Sequence, residues 1–171
     1  MIVGGVGGAN TKTGLVFEKD TDLKQALHGI ERIKIVGHDV YENGEKVGLI
    51  LQKHNLYTQL LEARGVDWRS IVSKKLLPDE AYFALKTNTV IVIEKKFQQV
   101  AGSVDEKLQT CDFKRKQYEK LLSPLNINVE YVYVLNDWFL DKSYKDVLNY
   151  ITESQCHYYF NTIPMHLLDL A

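Results

Sequence analysis

Pro78-Asp79-Glu80-Ala81-Tyr82-Phe83-Ala84-Leu85, the turn Lys86-Thr87-Asn88-Thr89, and Val90-Ile91-Val92-Ile93-Glu94-Lys95-Lys96-Phe97 form the stretch that decides the fold. The first run, from Leu76, reads as a strand opened by a proline, which a strand tolerates at its start because no ladder hydrogen bond is needed there. The second is an unbroken β-branched run up to Ile93, the pattern of a central strand buried on both faces. The two arms have nearly equal length, so a hairpin returns Glu94 to the end where Asp79 begins. Side chains two apart in a strand share a face. Glu94 and Lys96 therefore stand together, and Lys95 turns away. Glu80, beside Asp79, is expected on the opposite face in a structural role.

Outward from the hairpin, both flanks are patterned. Leu15 to Gly29 reads as a helix with Val16, Leu23, Leu27 and Ile30 on one stripe. Ile33 to Val40 is β-like, and Asn43-Gly44 is a hairpin turn into Lys46–Leu51. Asn55–Arg64 reads as a helix with Leu56, Leu60 and Leu61 as its apolar face, ended by Gly65, and Val66–Ser73 as a second short helix. Downstream, Ser103-Val104-Asp105-Glu106 has the spacing of a capping box. It opens a helix to Leu122 with Val104, Leu108, Cys111, Tyr118 and Leu122 inward, stopped by Ser123-Pro124. Val129–Leu135 is a strand, Ser143–Ser154 a helix and Cys156–Phe160 a last strand. The order predicts an α/β or α+β domain with a mixed β-sheet flanked by helices.

The chain has 171 residues, of which 45% are hydrophobic and 25% charged. That length and composition suit one globular domain over 1–171, with a Gly-rich arm at 1–14. Lys and Arg total 21 against 22 Asp and Glu. This excludes a generic polycation but not a protein whose basic residues gather on one face. No run of about 20 apolar residues exists to span a membrane. Met1 to Thr13 lacks the apolar segment of a secretory signal. A cytoplasmic protein is expected, with Cys111 and Cys156 as reduced thiols. The five histidines show no metal-ligand spacing.

Asp79, Glu94 and Lys96 thus bring two carboxylates and one ammonium to one sheet edge. Two acidic oxygens completed by waters suit Mg²⁺, which takes few carboxylates and keeps its waters. A divalent ion lowers the pKa of bound water and neutralises charge on a phosphate. A neighbouring lysine can orient the attacking water and stabilise developing negative charge. Phosphodiester hydrolysis by in-line attack is the chemistry this set suits.

Pro78-Asp79, fourteen intervening residues and Glu94-Lys95-Lys96 resemble the PD-(D/E)XK nuclease signature. The stretch IEKKFQQVAGSVDEKLQ is most similar to type II restriction endonucleases of that superfamily. The likeness covers Leu15 to Leu135 in expected topology and Pro78 to about Leu122 in sequence. It implies a restriction-endonuclease-like sheet and a Mg²⁺-dependent DNA endonuclease, with Mn²⁺ as a substitute ion. It implies Asp79, Glu94 and the main-chain carbonyl of Lys95 as metal ligands, and Lys96 as the residue that positions or polarises the water. Many members add an acid from the first helix, and Glu18 in Gly14-Leu15-Val16-Phe17-Glu18 fits. Glu18 also lies about half a turn off the apolar stripe, as a solvated helix residue would. A homodimer on double-stranded DNA completes what the resemblance implies; a companion DNA methyltransferase belongs to the restriction alternative and is not read from this sequence.

Two alternatives stand beside it. One is a structure-specific resolvase or repair nuclease of the same superfamily. The other is a non-catalytic nucleic-acid-binding module. For contacts to DNA, Lys74 and Lys75 adjoin the expected scissile site. Gln98 and Gln99 follow the catalytic strand and could touch a base edge or sugar, or be loop residues. Asn10 and Lys12 in the Gly-rich arm suit a DNA contact as well as they suit disorder. The charges from Lys107 to Lys120 alternate in sign and read mainly as a solvated, salt-bridged helix face.

Overall fold

A computed structural model describes residues 21–170. The Gly-rich arm with Asn10 and Lys12, and Glu18 in the expected first helix, lie outside the described residues. Among the described residues, seven strands form one sheet in chain order: β1 (Ile33–Val36), β2 (Asp39–Glu42), β3 (Glu45–Ile50), β4 (Glu80–Ala84), β5 (Thr89–Lys96), β6 (Asn128–Leu135) and β7 (His157–Phe160). β1 to β5 run as an antiparallel meander, while β5–β6 and β6–β7 are parallel. The helices are α1 (Leu23–His28), α2 (Val104–Leu108), α3 (Cys111–Leu122) and α4 (Lys145–Glu153). The chain is mixed α/β, with helices on a mostly antiparallel sheet.

The buried strands β4 and β5 form the centre. Their alternate residues feed two cores. Ala81, Phe83, Val90 and Val92, with Tyr131, Tyr133 and Leu135 of β6, pack under Leu56, Tyr57, Leu60 and Leu61 and under Leu108, Cys111, Tyr118 and Leu122. Tyr82, Ala84, Ile91 and Ile93 face the other way, against Leu23 and Leu27 of α1 and against Ile163, Leu168 and Leu170. One β-branched run thus fills two hydrophobic layers, as a strand buried on both sides must.

Several local expectations need correction. Ile33–Val40 is not one strand. Gly37 takes φ +63, a left-handed conformation that glycine adopts without a Cβ clash, and the chain reverses there into β2. Asn55–Arg64 is wound wider than an α-helix over Leu56–Leu61, with the Glu62 N–H reaching back to the Tyr57 carbonyl. Gly65 ends this segment at φ +75, as expected. Val66–Ser73 contracts to a single 3₁₀ turn, Trp68–Ser70, capped by Asp67. The capping box does not form: Ser103 sits at φ −95, ψ 15, outside the extended conformation a capping side chain needs, and makes no cap hydrogen bond. The helix after it breaks between α2 and α3, where the Thr110 hydroxyl donates back to the Lys107 carbonyl at 2.7 Å.

Cys111 and Cys156 are both free thiols and fully buried. The fold brings them together between α3 and the entry to β7. A hydrogen bond from Cys156 holds the Cys111 thiol below its ordinary value. No helix among the described residues is long and apolar enough to cross a membrane.

Candidate active site

The β4–β5 register pairs Glu80 with Ile93 and Ala81 with Val92. One step further, it sets Asp79 beside the last residues of β5. Asp79 Oδ2 accepts the Lys95 main-chain N–H at 2.9 Å, so the acid is tied to the strand end by backbone rather than by another side chain. Lys96 Nζ donates to Glu94 Oε2 at 3.0 Å and lies 4.0 Å from Asp79 Oδ2. It also donates to the Lys95 carbonyl at 3.3 Å. The structure therefore brings Asp79, Glu94, Lys96 and the Lys95 carbonyl together, as the strand alternation predicts.

Glu94 is the most enclosed of the three side chains, at 6% exposure. Beneath it are Tyr118, Tyr131 and Tyr133. Burial, above all, raises the phenol pKa of Tyr118 and Tyr131, and the Glu94 charge raises them further. These rings stay neutral and form a floor that cannot compete for a cation. A fourth side chain reaches the site from the same helix face as Tyr118. Lys114 of α3 approaches Glu94 Oε2 to 3.7 Å. Sequence pattern alone merges Lys114 into a salt-bridged helix face. Its neighbours are of that kind, with Arg115 bonded to Asp112 and Glu119 and Lys116 to Asp112. Only its spacing of four residues before the buried Tyr118 could mark it as turned inward.

On the other face, Lys95 and Glu80 form a buried ion pair at 3.3 Å. Both Glu80 oxygens accept the Leu23 N–H that opens α1, at 3.0 and 3.1 Å, and Gln52 Nε2 donates to one of them at 2.8 Å. Glu80 has the structural role expected of it. Lys95 connects the two faces of the sheet through one residue.

The expected nucleic-acid contacts divide. Lys74 and Gln99 are exposed. Lys75 is half-buried, its ammonium 4.7 Å from the Tyr57 ring centroid and 5.0 Å from that of Trp68. Gln98 is turned away from solvent. It is buried, its Nε2 donates to the Val100 carbonyl at 2.9 Å, and its main chain exchanges two hydrogen bonds with the Asn136 side chain. Gln98 thus takes the loop alternative of its two expected roles, its main chain tying the exits of β5 and β6 together.

Compared with models of known protein families and with curated proteins, the chain matches none.

Among the described residues, no group of three or more His, Cys, Asp or Glu forms a metal cage. The donors at this site are instead two carboxylates and one main-chain carbonyl. All are hard oxygens, and they leave positions for water. That set fits Mg²⁺ and is poor for Zn²⁺, which favours nitrogen and sulfur. As it stands, two ammonium groups balance two carboxylates. A divalent cation would leave the cluster with excess positive charge, which suits a phosphodiester.

Proposed function

We propose that this chain is a Mg²⁺-dependent DNA endonuclease with a restriction-endonuclease-like fold, similar to type II restriction enzymes. The observation that carries the reading is Lys96. Its ammonium reaches carboxylates on two adjacent strands at the open end of a central hairpin, in the PD-(D/E)XK spacing. An ion pair on an ordinary strand end would use one carboxylate and lie in solvent. Here the lysine side chain is 14% exposed and Glu94 8%, and the same ammonium also lies 4.0 Å from Asp79, an arrangement an exposed pair does not make.

Asp79, Glu94 and the Lys95 carbonyl would hold the ion, which supplies charge neutralisation at the phosphate and a more acidic bound water. Lys96 Nζ, already a donor to Glu94, would orient the attacking water and stabilise charge developing on the non-bridging oxygens. Asp79 is held by the Lys95 N–H, so its carboxylate keeps its orientation before substrate arrives. Lys114 restrains Glu94 from the helix side. A homodimer would give one such site to each strand of the duplex. Cleavage of a mixed plasmid pool with and without Mg²⁺ tests the reading. Discrete fragments are expected, and cutting confined to branched substrates would point to a resolvase instead.

A further inference from the structure

The β3–β4 connection leads directly into Pro78-Asp79. From Gln52 to Leu77 it carries five basic residues, Lys53, Arg64, Arg69, Lys74 and Lys75, against two acids, Glu62 and Asp67. A chain with a net charge of −1 thus concentrates positive charge on the one segment that delivers a catalytic acid. The segment is also rigidly built. Tyr57 and Trp68 meet edge to face at 5.7 Å. Lys75 lies over both rings, and the Arg69 guanidinium carbon sits 4.8 Å from the Trp68 centroid. The Tyr57 hydroxyl then donates to the Leu76 carbonyl at 2.8 Å and accepts the Leu76 N–H at 2.9 Å. At the other end of the connection, the Lys53 N–H donates to the Pro78 carbonyl at 3.0 Å. A continuous chain of interactions therefore links Arg69, Trp68, Lys75 and Tyr57 to the residues just before Asp79.

We infer that this connection is the wall that grips the phosphate backbone of duplex DNA beside the cleavage site, with Lys53, Arg69 and Lys74 as the phosphate-binding residues and Lys75 as their internal support. The inference rests on the nuclease reading of the adjoining site. Lys75 is committed to two aromatic faces, which keeps a positive charge in the wall and leaves the exposed cations to meet the ligand. The Arg69 guanidinium lies over the indole and its Nη1 is 3.6 Å from Asp67 Oδ1; that ion pair is exposed and therefore weak, so a phosphate can take the place of the carboxylate on a side chain the ring already positions. Such interactions with the DNA backbone set register and affinity for any sequence and read no base.

The test is fluorescence anisotropy with a labelled duplex across a salt series, in EDTA so that nothing is cut. A Lys53→Ala/Arg69→Ala/Lys74→Ala variant is compared with wild type and with a matched triple variant at exposed lysines elsewhere, Lys34, Lys142 and Lys145. The wall variant should bind weakly on all sequences, its log–log salt slope shallower by about 0.9 for each phosphate it no longer neutralises, while the control stays near wild type. Should the triple variant not fold, the single variants Arg69→Ala and Lys74→Ala, both exposed, carry the same comparison. If wild type binds duplex and the wall variant keeps its slope, or the control weakens as much, the wall is wrong and the nuclease reading stands. If wild type binds no duplex in EDTA, the wall is wrong, and the nuclease reading is decided separately by cleavage in Mg²⁺.

Discussion

The main-chain N–H of Lys95 donates to Asp79 Oδ2, and the ammonium of the same Lys95 pairs with Glu80 across the sheet. One residue therefore anchors the candidate site on one face and the start of α1 on the other. Glu80→Ala removes an acceptor from a buried ammonium and leaves the Leu23 N–H without its carboxylate. The expected loss is about 3–5 kcal/mol in urea denaturation. An apolar pair, Glu80→Leu with Lys95→Met, should recover much of it, because burying no charge costs less than burying half a pair. A loss below about 1 kcal/mol for Glu80→Ala, the worth of a surface pair, would mean that the pair is not buried as described.

Burial also raises the Glu80 carboxyl above its ordinary value of 4.5, with Asp22 adding to the rise and Lys95, the Leu23 N–H and Gln52 opposing it. An acid with a raised folded pKa holds its proton longer in the folded state. Its contribution is fully present below the unfolded pKa and is lost as pH climbs through the folded one. Wild-type stability measured relative to Glu80→Gln, which does not titrate, should therefore decline as pH rises from about the ordinary carboxylate pKa through the raised one. A relative increase over that window would reverse the sign assigned to burial.

Tyr82 offers a prediction of the opposite kind. Its hydroxyl is buried with no hydrogen-bond partner. Tyr82→Phe should leave stability unchanged or raise it, since an unsatisfied buried hydroxyl costs roughly 1–3 kcal/mol. The same ring explains Gly48. A Cβ there would meet Tyr82 Oη at 2.2 Å, Cζ at 2.3 Å and the Phe83 carbonyl at 2.7 Å. Gly48→Ala should destabilise by at least about 1–3 kcal/mol. Thermal melts of the two variants check both signs, and a stable Gly48→Ala would show that β3 and β4 do not approach this closely.

Lys114 approaches Glu94 Oε2 to 3.7 Å, and in the proposed site it acts through that carboxylate. Lys114→Ala should lower the rate of DNA cleavage at saturating Mg²⁺ by about 10–100-fold, the usual cost of removing a partner of a metal-ligating side chain. Lys114→Arg should restore most of the rate, and both variants should melt near wild type because the side chain is partly exposed. An alanine variant that cuts at the wild-type rate would remove Lys114 from the site.

What the residues make legible follows from the range of each interaction. The β4–β5 hairpin is readable because its signals are local: Val90 to Ile93 is apolar at every position, and alternation alone orients Glu94 and Lys96. The Gly65 stop is local too. The turn at Gly37 is only weakly signalled: Gly37-His38-Asp39 interrupts the β-like run from Ile33 to Val40, but a lone glycine within a strand pattern also marks a bulge. Ser103 has the letters of a capping box, but the backbone entering α2 does not adopt the angles. Gln98 stands beside β5 in sequence, and only Asn136, on the far side of a crossover, shows where it is held. The meetings of Lys114 with Glu94 and of Cys111 with Cys156 depend on packing between distant segments, which periodicity does not encode. The balance of 21 basic against 22 acidic residues likewise hides a positive β3–β4 connection.

If Asp79, Glu94 and Lys96 form one hydrolytic site, removing the ammonium must stop the chemistry without unfolding the chain. The decisive experiment compares the rate of duplex DNA cleavage in Mg²⁺ by wild type and by Lys96→Ala, with circular dichroism to confirm that both are folded. Wild type should cut, and EDTA should abolish the cutting. The variant should be slower by at least about 100-fold, the scale expected when a group stabilising transition-state charge is removed. A folded Lys96→Ala that cuts DNA as fast as wild type would contradict the assignment.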